Sequence, residues 1–179
     1  MAGKRPSKIS TLVNLDFIAH FLKMSGENVS SFSRKAGISK QSMQQWFEYD
    51  DMTIAKIKEI FGNYGYDWDY RLVSRRATKE VEMPEHLEIE VAERAYPRLD
   101  SSKRLFELRR AITDAGYTHK DFIEQLRKKG LAHSGMPWWT NCVKVDSIFL
   151  SDLRNMAEEL DCDLKISIKP KPKSDNSED

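Results

Sequence analysis

Cysteine is scarce here. Cys142 and Cys162 are the only two in 179 residues, too few for a disulfide framework, and a reducing cytoplasm is the simple reading. No cysteine pair has the spacing of a zinc site. No apolar run approaches the ~18 residues of a membrane helix, so no membrane partner is expected. The opening MAGKRPSKIS lacks the apolar stretch of a signal peptide, and its glycine at position 3 rather than 2 misses the myristoylation pattern. There is no phosphate-cradling glycine loop and no H-E-x-x-H. His20, His86, His119 and His133 are scattered. His20 reads as a packing residue, and His119 falls in the first turn of a helix. The carboxylates read as solvated helix faces. No catalytic residue, metal, cofactor or small-molecule ligand is therefore expected, and an enzyme is the least supported reading. An excess of one charge is missing too. Lys and Arg number 29 against 28 Asp and Glu, so the net charge of +1 gives no basic signal for strong non-specific nucleic-acid binding.

What remains is ordinary globular composition, 40% hydrophobic and 32% charged, carried on helical periodicity. Within 28–46 the text NVSSFSRKAGISKQSMQQW reads as two short helices and a tight turn. Asn28 is a suitable N-cap. Phe32 and Ala36 share a face, Gly37 closes the first helix, and Ile38 plugs the turn. Ser39 caps the second helix, and Met43 and Trp46 are its inward residues. Lys40, Gln41, Ser42, Gln44 and Gln45 are left outward and polar.

This arrangement resembles the helix-turn-helix of the Cro/repressor (Xre-like) family. Asn28, Phe32, Ser33, Gly37, Ser39, Met43 and Trp46 fill the family's cap, apolar, small, glycine, cap and apolar places in order. The resemblance implies a lambda-repressor-like fold with the second helix laid in the major groove of double-stranded DNA. On it, Lys40, Gln41 and Gln45 point at bases, Ser42 and Gln44 lie nearby, and Asn28 and Ser39 belong to the same DNA-binding set. Glutamine can bond adenine bidentately and lysine can approach guanine. The implied activity is that of a prokaryotic or phage transcriptional regulator. Two places depart from the pattern: Val29 opens the first helix, and FEYDDM follows the second, where Asp50 and Asp51 would repel a phosphate they faced.

A helix from about Leu12 to Ser25 precedes this pair. Another carries Ile54, Ile57, Ile60, Phe61 and Tyr64 from Thr53 to Gly65. DWDYRLV, 67–73, then alternates as a strand with one apolar face. Residues 103–169 replay the series. Leu105, Leu108, Ile112, Gly116, Thr118 and Phe122 fall on Leu15, Ile18, Leu22, Gly26, Asn28 and Phe32 at an offset of 90. Met136 and Trp139 fall on Met43 and Trp46 at 93. Leu150, Leu153, Met156 and Leu160, and then the strand DLKISIK, follow at 96. The second copy reads as degenerate: in AHSGMPWWT, Gly135 weakens the helix and Pro137 interrupts it. Arg127, Lys128, Lys129 and Lys144 are its candidates for phosphate contact. Trp138 and Trp139 are candidates for a stacking platform, one of them core and the other at an interface.

The fold class is therefore mainly α: two tandem helix-turn-helix lobes, each ending in a short strand, the strands pairing into an antiparallel ribbon. Residues 1–10 read as a flexible basic arm and 11–73 as the first domain. Residues 74–101 read as a charged linker whose Leu87, Val91 and Ala95 suit a helix after Pro84. Residues 102–169 read as the second domain and 170–179 as a disordered tail. A homodimer through the ribbon is a further expectation. The same text also suits a protein-interaction module, antitoxin-like or a phage assembly partner, or a single-stranded nucleic-acid binder that uses its tryptophans.

Overall fold

The structure, a computed structural model, describes residues 12–75, 105–131 and 135–172. The arm, most of the linker and 173–179 lie outside the described residues. Four helices and a strand occur twice in order: α1 (Asp16–Ser25), α2 (Val29–Lys35), α3 (Lys40–Tyr49), α4 (Ile54–Tyr64) and β1 (Tyr66–Ser74), then α5 (Phe106–Asp114), α6 (His119–Lys128), α7 (Met136–Val145), α8 (Leu150–Glu159) and β2 (Cys162–Pro170). Among the described residues the chain is thus mainly helical, with one two-stranded antiparallel sheet. No helix among the described residues is long and apolar enough to cross a membrane.

Caps set most of the boundaries. Asn28, Ser39, Thr53 and Thr118 each accept from the N–H three residues on, at 2.9, 3.0, 3.3 and 3.1 Å. The first helix does not begin near Leu12 as its periodicity suggests, but at Asp16. The Asp50 carboxylate takes the N–H groups of Val13, Asn14 and Leu15 at 2.8, 3.0 and 3.0 Å and holds those residues outside the helix. Asp50 is itself left-handed, at φ 50°, where it ends α3. Asp146 repeats the arrangement: at φ 52° it ends α7, and its carboxylate takes the Leu105 N–H at 2.7 Å. Aspartate is among the few L residues that adopt this conformation at modest cost.

These two aspartates also correct the frame of the sequence repeat. Both α3 and α7 have ten residues, and the offset between them is 96 rather than 93. Trp139, not Met136, therefore falls on Met43, and Cys142 falls on Trp46. Burial agrees: Trp139 is 3% exposed and Met136 37%. The 93 frame matched residue identities, Met on Met and Trp on Trp. It failed because α6 is three residues longer than α2 and three more precede the cap of α7.

The described residues form two compact units. The first holds 12–69, 148–151 and 166–172; the second holds 70–75, 105–131, 135–147 and 152–165. In the first, Leu15, Ile18, Phe32, Met43, Ile57, Ile60 and Phe61 are almost wholly buried. Phe21 stands edge-on to Phe32, Phe61, Tyr64 and Tyr66, with centroids 5.1–5.8 Å apart, which adds directional ring contacts to the area buried. Glu27 ties α2 to this cluster. It bonds Lys35 and the Tyr64 hydroxyl, and these bonds, with one to Ser31, hold its carboxyl down to about 2. Asp51 also turns inward, accepting from the Ser151 N–H at 3.1 Å and its hydroxyl at 2.5 Å. Phe149, at the place Thr53 occupies 96 residues earlier, has no oxygen to cap α8, and Asp51 caps that helix instead.

The second unit packs Leu108, Ile112, Phe122, Ile123, Leu126, Trp139, Leu153 and Met156. His119 lies edge-on to Trp139 at 5.7 Å. Its Nε2 is buried without a hydrogen-bond partner. Burial pushes the imidazole below its ordinary 6.5, against the opposing pull of its hydrogen bond to the Arg109 main chain. Above 6.5 the histidine is neutral both folded and unfolded. As pH falls through 6.5, the unfolded chain takes a proton that the folded chain refuses, so stability declines until the lowered folded value is passed. Urea midpoints on either side of 6.5 should show this decline in the parent and a smaller one in His119→Gln. Equal declines would exclude His119 as the source.

The sheet pairs β1 with β2 as expected, each strand reaching one residue further at both ends than its alternation suggested. Arg75 N–H to Asp161 O and Lys171 N–H to Gly65 O, both 2.9 Å, close the ladder at its two ends. Pro170 and Lys171 thus belong to ordered structure, contrary to a tail beginning at 170. Lys171 supplies a ladder N–H, whereas Pro170 has none and sits where none is needed.

Candidate functional site

The polar face singled out in the sequence lies on α3. Asn28 and Ser39 are occupied as caps, and the Ser42 hydroxyl lies 2.8 Å from that of Ser39. Three of the seven proposed contact residues thus spend their side chains on local structure. Lys40, Gln41, Gln44 and Gln45 are exposed, and among the described residues none of them has a hydrogen-bonding or ionic partner. At 3.6 residues per turn these four, with Glu48, share an arc of about 140° and a length of about 12 Å. Glu48 is the residue the sequence reading passed over. Its i, i+4 spacing from Gln44 was the available signal.

Met43 fills the inward side, as its spacing suggested. Its partner there is Phe47, 6% exposed, while Trp46 is half-buried under the Lys56 ammonium, 5.9 Å from its ring. The turn before α3 is held by Gly37 at φ 70° and by the Ile38 N–H on the Ser33 carbonyl, 2.9 Å. Asp50 and Asp51 do not present idle carboxylates beside this face, since both accept main-chain hydrogens within the first unit.

The second unit departs from the reading of a broken helix. Helix α7 is continuous over ten residues. Gly135 is its N-cap, at φ 68° and ψ −148°, a region essentially restricted to glycine. Pro137 falls in the first turn, where N–H groups lack intrahelical partners anyway. The two residues read as helix breakers are helix starters. Pro137→Ala should therefore change the stability read from the urea midpoint by less than about 1 kcal/mol. A gain near 3 kcal/mol would mean that the proline does interrupt the helix. The exposed residues of α7 are Met136, Pro137, Thr140, Asn141, Lys144 and Val145, which share little with the face of α3.

The basic run of the second unit is mostly engaged. Arg127 pairs with Glu124 at 2.8 Å, and Lys129 with Glu159 at 2.5 Å. Lys128 and Lys144 are exposed and make no hydrogen bond or ion pair among the described residues. Trp139 is core, and Trp138, half-buried, is the one indole of the pair with an accessible face.

A cleft of about 600 Å³ opens in the second unit, lined by Arg71, Arg110, Asp114, Tyr117, Glu159 and Asp161 among others. Arg110 pairs with Glu107 at 3.0 Å and Asp114 at 3.9 Å, so the lining is largely self-neutralised. The thiols offer no nucleophile: both are buried and free, and burial pushes Cys142 up to about 11 and Cys162 upward. Among the described residues no group of three His, Cys, Asp or Glu could hold a metal ion. Comparison with protein-family models, with curated proteins and with solved structures finds no match for this chain.

Proposed function

We propose that this chain is a sequence-specific double-stranded DNA-binding protein, a prokaryotic or phage transcriptional regulator acting in the cytoplasm. On this reading it consists of two lambda-repressor-like helix-turn-helix lobes in tandem, of which the second is degenerate, and α3 enters the major groove. The observation that carries the proposal is the arc of Lys40, Gln41, Gln44 and Gln45, exposed and unpartnered among the described residues, on a helix capped at both ends. Its length of about 7.5 Å fits within a major groove ~12 Å wide, and its side chains are those that bond adenine and guanine edges. Lys128 and Lys144 are the phosphate contacts that remain once Lys129 is assigned to Glu159.

The test is random-site selection with the full chain, followed by titration of the selected duplex at several salt concentrations and with single strands as competitor. Binding that falls log-linearly with salt and resists single strands supports the reading, because neutralised phosphates release counterions. Salt-independent or absent binding overturns it. A second reading, a protein-interaction module, is favoured by Tyr49, 72% exposed at the end of α3, together with a net charge of only +1. That reading takes over if the duplex titration fails.

A further inference from the structure

We propose that the outer edge of β2 is a self-association surface, on which a second copy of this chain adds its own β2 antiparallel about a two-fold at Ile166. The sheet has two strands, so β2 has no neighbouring strand on its outer side among the described residues. Its apolar side chains are also covered less than those of its partner. Trp68, Tyr70 and Leu72 are 4%, 4% and 6% exposed, whereas Leu164, Ile166 and Ile168, on the same face, are only half-buried.

Hydrogen-bond phase and charge together select the occupant and its register. The bonds from Arg75 to Asp161 and from Lys171 to Gly65 place the odd-numbered residues of both strands in the intramolecular ladder. Alternation then turns the N–H and C=O groups of Leu164, Ile166 and Ile168 outward. A second β2 can exchange these bonds only with even residues opposite even ones. Centred on Ile166, that pairing sets Leu164 against Ile168, Asp163 against Lys169 and Lys165 against Ser167, each twice by symmetry. A shift that centres on Lys165 opposes Lys165 with itself. The opposite shift, centred on Ser167, opposes Lys165 with Lys169 twice. Like charges directly opposite are destabilising and unlike ones stabilising, so the register at Ile166 is favoured over both alternatives. An edge with an apolar face, interrupted by proline only at its last residue, Pro170, is the kind of surface that natural sheets pair or protect.

The experiment is sedimentation of the full chain over a concentration series, with variants that carry one introduced cysteine, in a background with Cys142 and Cys162 replaced by alanine, oxidised in parallel. A monomer–dimer equilibrium is expected, with Ile166→Cys forming a covalent dimer faster than Lys165→Cys or Ser167→Cys, which report the two shifted registers. Lys169→Asp should weaken the dimer about tenfold, by setting a carboxylate opposite Asp163, which is 2.9 Å from Arg75 Nε within its own chain. Ile166→Pro should abolish it while leaving the helical circular dichroism and its thermal transition near those of the parent, because the Ile166 N–H points away from β1. A chain that stays monomeric throughout the series, or a dimer that crosslinks no faster at Ile166 than at its neighbours, overturns the proposal. Neither result bears on DNA binding by a single chain, which the duplex titration tests separately.

Discussion

Replacing Gln41 and Gln45 together by alanine is expected to weaken binding to the selected duplex by roughly tenfold or more, while binding to a scrambled duplex changes little. Each bidentate glutamine–adenine contact is worth about 1–3 kcal/mol of discrimination against the wrong base and contributes nothing to non-specific affinity. Both side chains are exposed on α3 and unpartnered among the described residues, so their removal disturbs no internal contact and the fold is not at risk. Lys128→Ala and Lys144→Ala should act the other way, lowering affinity for both duplexes alike. Each should flatten the salt slope by about one unit for the phosphate it no longer neutralises. Lys129→Ala is a poorer probe, since it also releases Glu159, which is 18% exposed. If the glutamine variant binds selected and scrambled duplexes as the parent does, these residues do not read bases and the protein-interaction reading moves ahead.

Asp50→Gly is expected to cost about 2–3 kcal/mol of stability, since hydrogen bonds to charged groups contribute roughly 1.5–3 kcal/mol and a missing cap costs about 0.5–2 kcal/mol. Glycine keeps the left-handed backbone that ends α3, so the variant isolates the carboxylate, which accepts three main-chain N–H groups ahead of α1. Asp50→Ala adds the steric cost of a Cβ at positive φ, roughly 1–2 kcal/mol, and should be the worse of the two. Asp50→Asn retains one acceptor oxygen and the backbone preference, and should cost least. The order Asn, Gly, Ala in urea midpoints at constant m-value is the readout. Hydrogen exchange at the amides of Val13, Asn14 and Leu15 should quicken in the glycine variant. A glycine variant as stable as the parent would show that the carboxylate does not hold the start of α1.

Much was legible from local chemistry. Caps marked the starts of α2, α3 and α4, because an N-cap needs only one side-chain oxygen three residues from an N–H, and Gly37 and Gly65 marked the ends of α2 and α4. The end of α3 was misplaced, since Phe47, Glu48 and Tyr49, read as loop, belong to the helix. Alternation in DWDYRLV and DLKISIK located both strands, and two strands each with one apolar face implied that they would pair. The outward face of α3 was legible for the same reason: period 3.6 separates Met43 from Gln41, Gln44 and Gln45 whatever the helix packs against.

What only the tertiary structure decided were the roles that depend on a distant partner. Asp50 and Asp51 looked like charges beside a binding face, yet their acceptors serve N–H groups at Val13–Leu15 and at Ser151, far off in the chain. Gly135 and Pro137 looked like breakers because propensity speaks of helix interiors, and here they stand at a helix start. Lys129 looked free until Glu159 was placed beside it. The frame of α7 was misread for a related reason: residue identity suggested 93, whereas burial, which follows the helix face, requires 96. Sequence alone thus determined the elements and the polar face of α3. Long-range hydrogen bonds and burial decided which of its charged and helix-breaking residues are spent inside the fold and which stay available at its surface.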